Sequence, residues 1–309
     1  MSSQRAGHPV AVVVALVLAA FAGAVAIASI WANEQLLSTG SWVSVSGRML
    51  ESRDVRHRVA EFLGEELVSD TAAQLEAAGQ EGVAEEVVPR LRAEQVQLAE
   101  RVMRTKQFGV IWKQANRSGH RALLRVLDEE GGGDEAVVVN LTPALRQLAG
   151  VLEEEGLAEE LGVTDLAGLV EPGAARIKVL EARELNQAQD VVRVVRHLTA
   201  PAVIVTLALY LLALLLGRHR LSRTFLGVGL ALAATGGLAL LARALAGHEV
   251  VDQLIAGNAD RDAAEAAWRI ATSKIADLAG IAIGLGAVVV LLVGAVTIFR
   301  KAAEGRTVA

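Results

Sequence analysis

The sequence predicts a mainly α-helical fold, with four transmembrane helices and a predominantly helical extracytoplasmic domain between the first two. Three observations predict it. Four uncharged apolar blocks interrupt an otherwise charged chain. The basic segments beside those blocks all fall on one side of an alternating path. The long segment 33–197 repeats apolar residues at helical spacing.

Composition sets the frame. Of 309 residues, 53% are hydrophobic with glycine left out, and mean hydropathy is +0.41. Soluble domains reach about 45–50% apolar even with glycine counted, and the excess here sits in blocks, as in membrane proteins. The net charge of −5 and the pI near 5.8 supply no basic surface for nucleic acid. Zero cysteines exclude disulfides, thiolate metal sites and a thiol nucleophile. Arginine far outnumbers lysine, which fits a GC-rich bacterial genome.

The blocks are Pro9 to Ala32, Leu198 to Gly217, Thr224 to Ala242 and Leu278 to Phe299. A helix rises about 1.5 Å per residue, so roughly 20 apolar residues cross the hydrocarbon core. Ala-x-Ala spacings at Ala24/Ala26 and Ala26/Ala28 would suit signal cleavage. Signal h-regions, however, are only about 7–15 residues long and more basic in flank, so an uncleaved anchor is expected.

Orientation follows from the basic bias of cytoplasmic loops. Arg5 lies before the first block. Arg218, Arg220 and Arg223 follow the second with no acid among them. Arg300, Lys301 and Arg306 follow the fourth, against Glu304. The connection after the third block is acidic, with Glu249, Asp252, Asp260, Asp262, Glu265 and Asp277 against Arg261, Arg269 and Lys274. The expected layout is therefore a cytoplasmic N-terminus at 1–8, a span at 9–32 and an extracytoplasmic domain at 33–197. A span at 198–217, a cytoplasmic loop at 218–223 and a span at 224–242 come next. An extracytoplasmic loop at 243–277, a span at 278–299 and a cytoplasmic tail at 300–309 complete it. Trp31 falls at the outer interface, where indoles concentrate, and Tyr210 falls mid-span as a packing residue.

No span contains Asp, Glu, Lys, Arg or His, which speaks against proton- or ion-coupled transport. The spans are rich in small residues instead. Gly227, Gly229, Gly236 and Gly237 lie in the third, and Gly280, Gly284, Gly286 and Gly294 in the fourth. Gly280 and Gly284 form a GxxxG. Such faces allow close helix approach, although glycine and alanine are also simply common in membrane helices.

Segment 33–197 is long enough for its own core. Ser52 as N-cap precedes Val55, Val59, Phe62, Leu63 and Leu67 on one face. Val88, Leu91, Leu98 and Val102, with Gln95 between, resemble a short heptad seam with Pro89 near its start. A third run contains Phe108, Ile111, Trp112, Ala115, Leu123 and Leu127. Asp128 to Glu135 (DEEGGGDE) reads as a solvated acidic turn, because EF-hand spacing is missing and the glycines offer no side-chain ligands. Ala136 to Leu141 and Arg176 to Leu180 read as strands able to pair as a small β-ribbon. Thr142 and Pro143 signal a helix start between them. The stripe Leu185, Ala188, Val192 and Val195 runs toward the second span without a breaker before Pro201, predicting a helix that continues from domain into membrane.

Catalytic and metal signatures are missing from the sequence. His8, His57, His120, His197, His219 and His248 form no HxxxH, HExxH or HxH, and no GxSxG, P-loop or GxGxxG occurs. His57 and His219 lie between arginines, which disfavours a bound cation. His120 reads as a surface or packing residue. Glu65/Glu66, Glu85/Glu86 and Glu153 to Glu155 read as solvated helix faces rather than acid–base pairs. The sequons at Asn116 and Asn140 are discounted for a bacterial chain, the second also because Pro143 follows Thr142. No catalytic, cofactor-binding or metal-ligating residue is assigned, and no cofactor is expected.

The ordered features resemble a group of actinobacterial integral membrane proteins of uncharacterised activity. The resemblance rests on LLSTGSW (Leu36 to Trp42), FGVIWKQANRSGHRALLRVL (Phe108 to Leu127), VVVNLTPAL (Val137 to Leu145) and IKVLEARELNQAQDVVRVV (Ile177 to Val195). It covers nearly the whole chain and implies one span, an extracytoplasmic helical domain and three closely spaced spans in a cell membrane. It implies no activity and no site residues.

Three functional classes follow. The first is a non-enzymatic envelope protein that binds a partner or senses a condition through its outer domain. The second is an accessory or structural subunit of an envelope or transport complex, held to another membrane protein or to itself through small-residue faces. The third is an enzyme at the outer membrane face, built from carboxylates with Asn116 or His120; site geometry and not fold would have to carry it. The bilayer is the one partner common to all three.

Overall fold

A computed structural model describes residues 9–77, 79, 81–128, 137–140, 150, 153, 176–180, 182–256 and 260–306. The elements are predominantly helical. Helix α1 (Pro9–Trp31) passes through a π-helical turn (Ala32–Leu36) to α2 (Thr39–Glu51), α3 (Arg53–Ala77), α4 (Glu81–Met103) and α5 (Lys106–Asp128). Strands β1 (Val137–Asn140) and β2 (Arg176–Leu180) follow. Helix α6 (Ala182–Leu216), a 3-10 turn (Arg218–Arg220), α7 (Leu221–Ala256), α8 (Arg261–Ala271) and α9 (Ser273–Arg306) complete the order.

Four helical stretches are long and apolar enough to cross a membrane: Pro9–Leu36, Ala188–Leu216, Arg218–Gln253 and Ser273–Phe299. Each matches one of the predicted blocks, the second stopping one residue short of it at Leu216. The helices outrun them, because nothing in the sequence breaks the backbone hydrogen bonding where the apolar run stops. Pro201 does not end α6, which runs unbroken from Ala182 to Leu216. The predicted loop 243–277 is mostly helical: α7 continues to Ala256, and α8 occupies eleven of the remaining residues.

The chain divides into two compact units. One comprises Met1–Gln35, Arg193–Val250 and Ala271–Ala309, and the other Leu36–Val192 and Val251–Ile270. In the first, small side chains make the contacts. Ala15 and Leu16 of α1 cluster with Ala213 of α6 and Ala231 of α7, and Ile27 clusters with Ala239, Ile275 and Ala279. The outward faces are apolar: Val13, Ile204, Leu207, Leu230 and Leu291 are all more than half exposed. A bundle that is apolar both inside and out suits lipid rather than water. The few polar side chains are locally satisfied. Thr206 and Thr235 donate to the carbonyls of Ala202 (2.7 Å) and Ala231 (3.0 Å), and Tyr210 hydroxyl meets Thr235 Oγ1 at 3.2 Å. At one end Trp31 Nε1–H donates to the Ala271 carbonyl (2.8 Å), Arg243 Nε–H to Thr272 Oγ1 (2.7 Å), and Lys274 pairs with Glu34.

The second unit is built on the α3–α4 pair. Ala60, Val68, Leu91, Leu98, Val102, Met103 and Phe108 form its core, with Val59, Leu63, Val88, Ile111 and Trp112 packed against it. The seam predicted on α4 is therefore a core face. The helices cross closely at Gly64, where a Cβ would lie 3.0 Å from Gln95 Cβ. Gly79, with φ +68°, takes the left-handed conformation in the turn between them. Two expectations change. Phe62 is half exposed and leaves the core to Ala60, which is fully buried. Pro89 sits well inside α4 rather than near its start. Pro89 and Glu85 both lie on exposed positions, where water can satisfy the carbonyl that proline leaves unpaired. Strands β1 and β2 pair antiparallel, with Val138 opposite Lys178 and Val139 opposite Ile177. The helix start predicted at Thr142 and Pro143, most of the acidic turn after Asp128 and the side chain of Leu185 lie outside the described residues.

Candidate functional site

The sharpest polar constellation in the second unit is a cleft of about 480 Å³ where the start of α3, the end of α4 and the start of α8 meet. His57 is its centre. Its Nδ1 lies 3.0 Å from Glu100 Oε1 and its Nε2 lies 3.4 Å from Glu61 Oε1. A neutral imidazole has one N–H and serves one of these carboxylates; a protonated ring donates to both. Arg104 Nη2 closes on the other Glu100 oxygen at 2.9 Å. The bond from His57 is the main cause holding the Glu100 carboxyl below its usual range; partial burial opposes it, and Arg104 adds to the lowering.

The remaining wall carries both signs. Arg53, Asp54, Asp260 and Asp262 line it together with Arg56. Arg56 Nη1 donates to the carbonyls of Leu50 and Glu51, both at 3.3 Å, and its buried Nε has no partner among the described residues. Asp260 opens α8, its carboxylate accepting from the Asp262 N–H at 3.0 Å. Among the described residues no serine, threonine, lysine or cysteine lines the cleft. Carboxylates interleaved with guanidiniums present forked donors and acceptors side by side, which suits recognition of a polar surface.

His120 is buried, and it is a packing residue. Its Nε2 lies 2.8 Å from the Leu36 carbonyl and its Nδ1 lies 3.1 Å from Thr39 Oγ1, while the ring stacks on Trp42 at 5.2 Å. Nε2–H donates to the carbonyl, which leaves Nδ1 to accept from the threonine hydroxyl. Asn116 donates to the Trp112 carbonyl of its own helix at 3.0 Å. Among the described residues neither lines one of the described clefts.

The carboxylate clusters read as solvated faces divide: Glu153 is half-buried, and the first two clusters are exposed where they are described. Glu65, Glu85 and Glu86 are exposed, and Glu86 pairs with Arg90 on its own helix at 2.9 Å. Among the described residues no group of three or more His, Cys, Asp or Glu could hold a metal. The sequence reading missed Glu100 and the return of α8 to the same unit. The i, i+4 spacings of His57 to Glu61 and Glu100 to Arg104 were available, but the pairing of His57 with Glu100 depends on the α3–α4 register. Comparison with protein-family models, curated proteins and solved structures returned no match.

Proposed function

We propose that the chain is a multi-pass cell-membrane protein, with N- and C-termini in the cytoplasm, that binds a partner or senses a condition through its outer domain and catalyses no reaction. The observation that carries the topology is the make-up of the second unit, which combines Leu36–Val192 with Val251–Ile270. Those are the two connections that four alternating spans leave on one face. The basic turn 218–220 belongs to the opposite face, which positive-inside bias makes cytoplasmic. The resemblance to actinobacterial membrane proteins implies the same layout. In this reading the mixed-charge cleft around His57 and Glu100 is the recognition surface.

Reporter fusions test the topology. Fusions at Gly131 should be active only outside the cytoplasm, and fusions at His219 and at the C-terminus only inside it. Photo-crosslinkers at Asp54 and Asp262 test the role: both should capture one and the same envelope protein from intact cells, and Glu100→Lys should abolish the capture. Crosslinks to unrelated proteins would remove the cleft as a recognition surface.

A second reading, an accessory subunit of an envelope complex, is favoured by the GxxxG of α9. Gly280 and Gly284 are exposed, with open space where a Cβ would project. A face of that kind suits close approach of another helix.

A further inference from the structure

Helices α6 and α7 are joined by the single 3-10 turn Arg218–Arg220, and its inner side is filled. Gly217 N–H donates to the Ala213 carbonyl and Arg220 N–H to the Gly217 carbonyl, both at 2.9 Å. Thr224, 4% exposed, donates its hydroxyl to the carbonyls of Gly217 (3.1 Å) and Arg220 (3.2 Å). Its side chain packs so closely over Gly217 that a Cβ there would collide with it. The turn is therefore fixed from within.

Its outer side is basic and unpaired. Arg218, His219, Arg220 and Arg223 are exposed, and none has an ion pair or side-chain hydrogen bond among the described residues. The first turn of α7, where a helix dipole favours an acid, contains none and carries Arg223 instead. Directly beside the turn lie exposed Leu215, Leu221 and Phe225. Apolar side chains giving way within one helical turn to free guanidiniums is the pattern of a hydrocarbon–headgroup boundary.

We propose that this turn is a binding surface for the headgroups of anionic phospholipids. The proposal rests on the reading of α6 and α7 as membrane spans. Insertion bias alone requires only positive charge. Three guanidiniums on a locked turn at headgroup depth add something more, the forked donor geometry that matches phosphate.

The test uses the full-length chain in lipid nanodiscs. The absence of native cysteine allows a single fluorophore at Ser222→Cys. Quenching by brominated phosphatidylglycerol is compared with quenching by brominated phosphatidylcholine. The anionic lipid should be preferred about fivefold or more, the equivalent of one basic side chain at an anionic surface. Arg218→Gln/Arg220→Gln, which keeps Arg223, should bring the preference toward unity. Replacing chloride by inorganic phosphate at equal ionic strength should leave it intact. Equal quenching by both lipids, an unchanged preference in the variant, or its loss in phosphate would each overturn the proposal. Alkaline extraction of native membranes separates the two levels. If the protein is extracted, the spanning reading fails and takes the proposal with it. If it stays and the preference is missing, the proposal alone fails.

Discussion

Gly229 and Gly286 face each other across α7 and α9 so closely that a methyl on Gly229 would come within 2.8 Å of the Gly286 carbonyl oxygen. A methyl on Gly286 would press into the Gly229 carbonyl and Ala233 in turn. Two turns along α7, Gly236 meets Ala279 and Ile283 in the same way. Without a hydrophobic driving force in lipid, such backbone approach is how membrane helices gain packing energy.

Gly286→Val should therefore force α7 and α9 apart, at about 1–3 kcal/mol for overpacking a tight contact. Gly284→Val, on the open face, should stay within about 0.5 kcal/mol of wild type. Thermal unfolding of the two variants in detergent, followed by tryptophan fluorescence, checks the order. Equal melting would mean that the α7–α9 contact does not hold the bundle.

The His120 clamp joins α5 to the segment just before α2 and to its first turns. His120→Phe keeps an aromatic ring against Trp42 but leaves the buried Leu36 carbonyl without its donor. An unsatisfied buried group costs about 1–3 kcal/mol, so His120→Phe should destabilise the second unit by that much, read as a lower denaturation midpoint. Thr39→Val, which leaves the carbonyl bond intact, should cost about 1 kcal/mol or less. A neutral His120→Phe would show the ring stack, and not the hydrogen bonds, to be what matters.

Much of this architecture was legible in the sequence because burial in helices has a period. The four helices long and apolar enough to cross a membrane announce themselves by length, and the α4 seam by Val88, Leu91, Leu98 and Val102. What failed depended on partners distant in sequence. The GxxxG at Gly280 and Gly284 is the conspicuous motif, yet Gly286 and Ala279, on the neighbouring face, meet α7. Phe62 has the right period and the wrong face, since the tight α3–α4 crossing at Gly64 selects Ala60. His57 and Glu100 are far apart in sequence and are brought together only by the register of two helices. The acidic 243–277 connection shows charge but not that α8 closes the cleft.

The Glu100 carboxyl is held below its ordinary range by His57 and Arg104, against a smaller opposing effect of burial. A depressed folded-state value adds stability above the unfolded value of about 4.3, and that stability is lost as pH falls through the folded value. His57 is half exposed, so solvent screening keeps the effect at about 1 kcal/mol or less. Glu100→Gln should thus be slightly less stable than wild type at pH 7, and the difference should shrink as pH falls from 5 toward 2. Urea midpoints measured across that range decide the matter. A constant difference at all pH values would assign the effect to packing rather than to charge.

A buried glutamine helps to anchor the first turns of α6. Gln189, 8% exposed, donates from Nε2 to the Val126 carbonyl at 2.8 Å, satisfying an acceptor in the last turn of α5 that its own helix leaves free. Ala188 and Val192 lie on the same half-buried face, whereas Val191 is 61% exposed. A carboxylate at Val192 would be partly desolvated without a partner and should open the local packing. Val192→Asp should make the second unit several-fold more sensitive to limited proteolysis, which right-side-out vesicles would read if that unit is extracytoplasmic as proposed, while the protein still inserts. Val191→Asp, one residue away and facing solvent, should be near silent. Gln189→Leu should fall between them, at about 1–2 kcal/mol for one lost donor to a buried carbonyl. Equal protease resistance of Val192→Asp and Val191→Asp would mean that α6 stands as a solvated stalk before it enters the membrane, with the Gln189 bond too weak to hold it to α5.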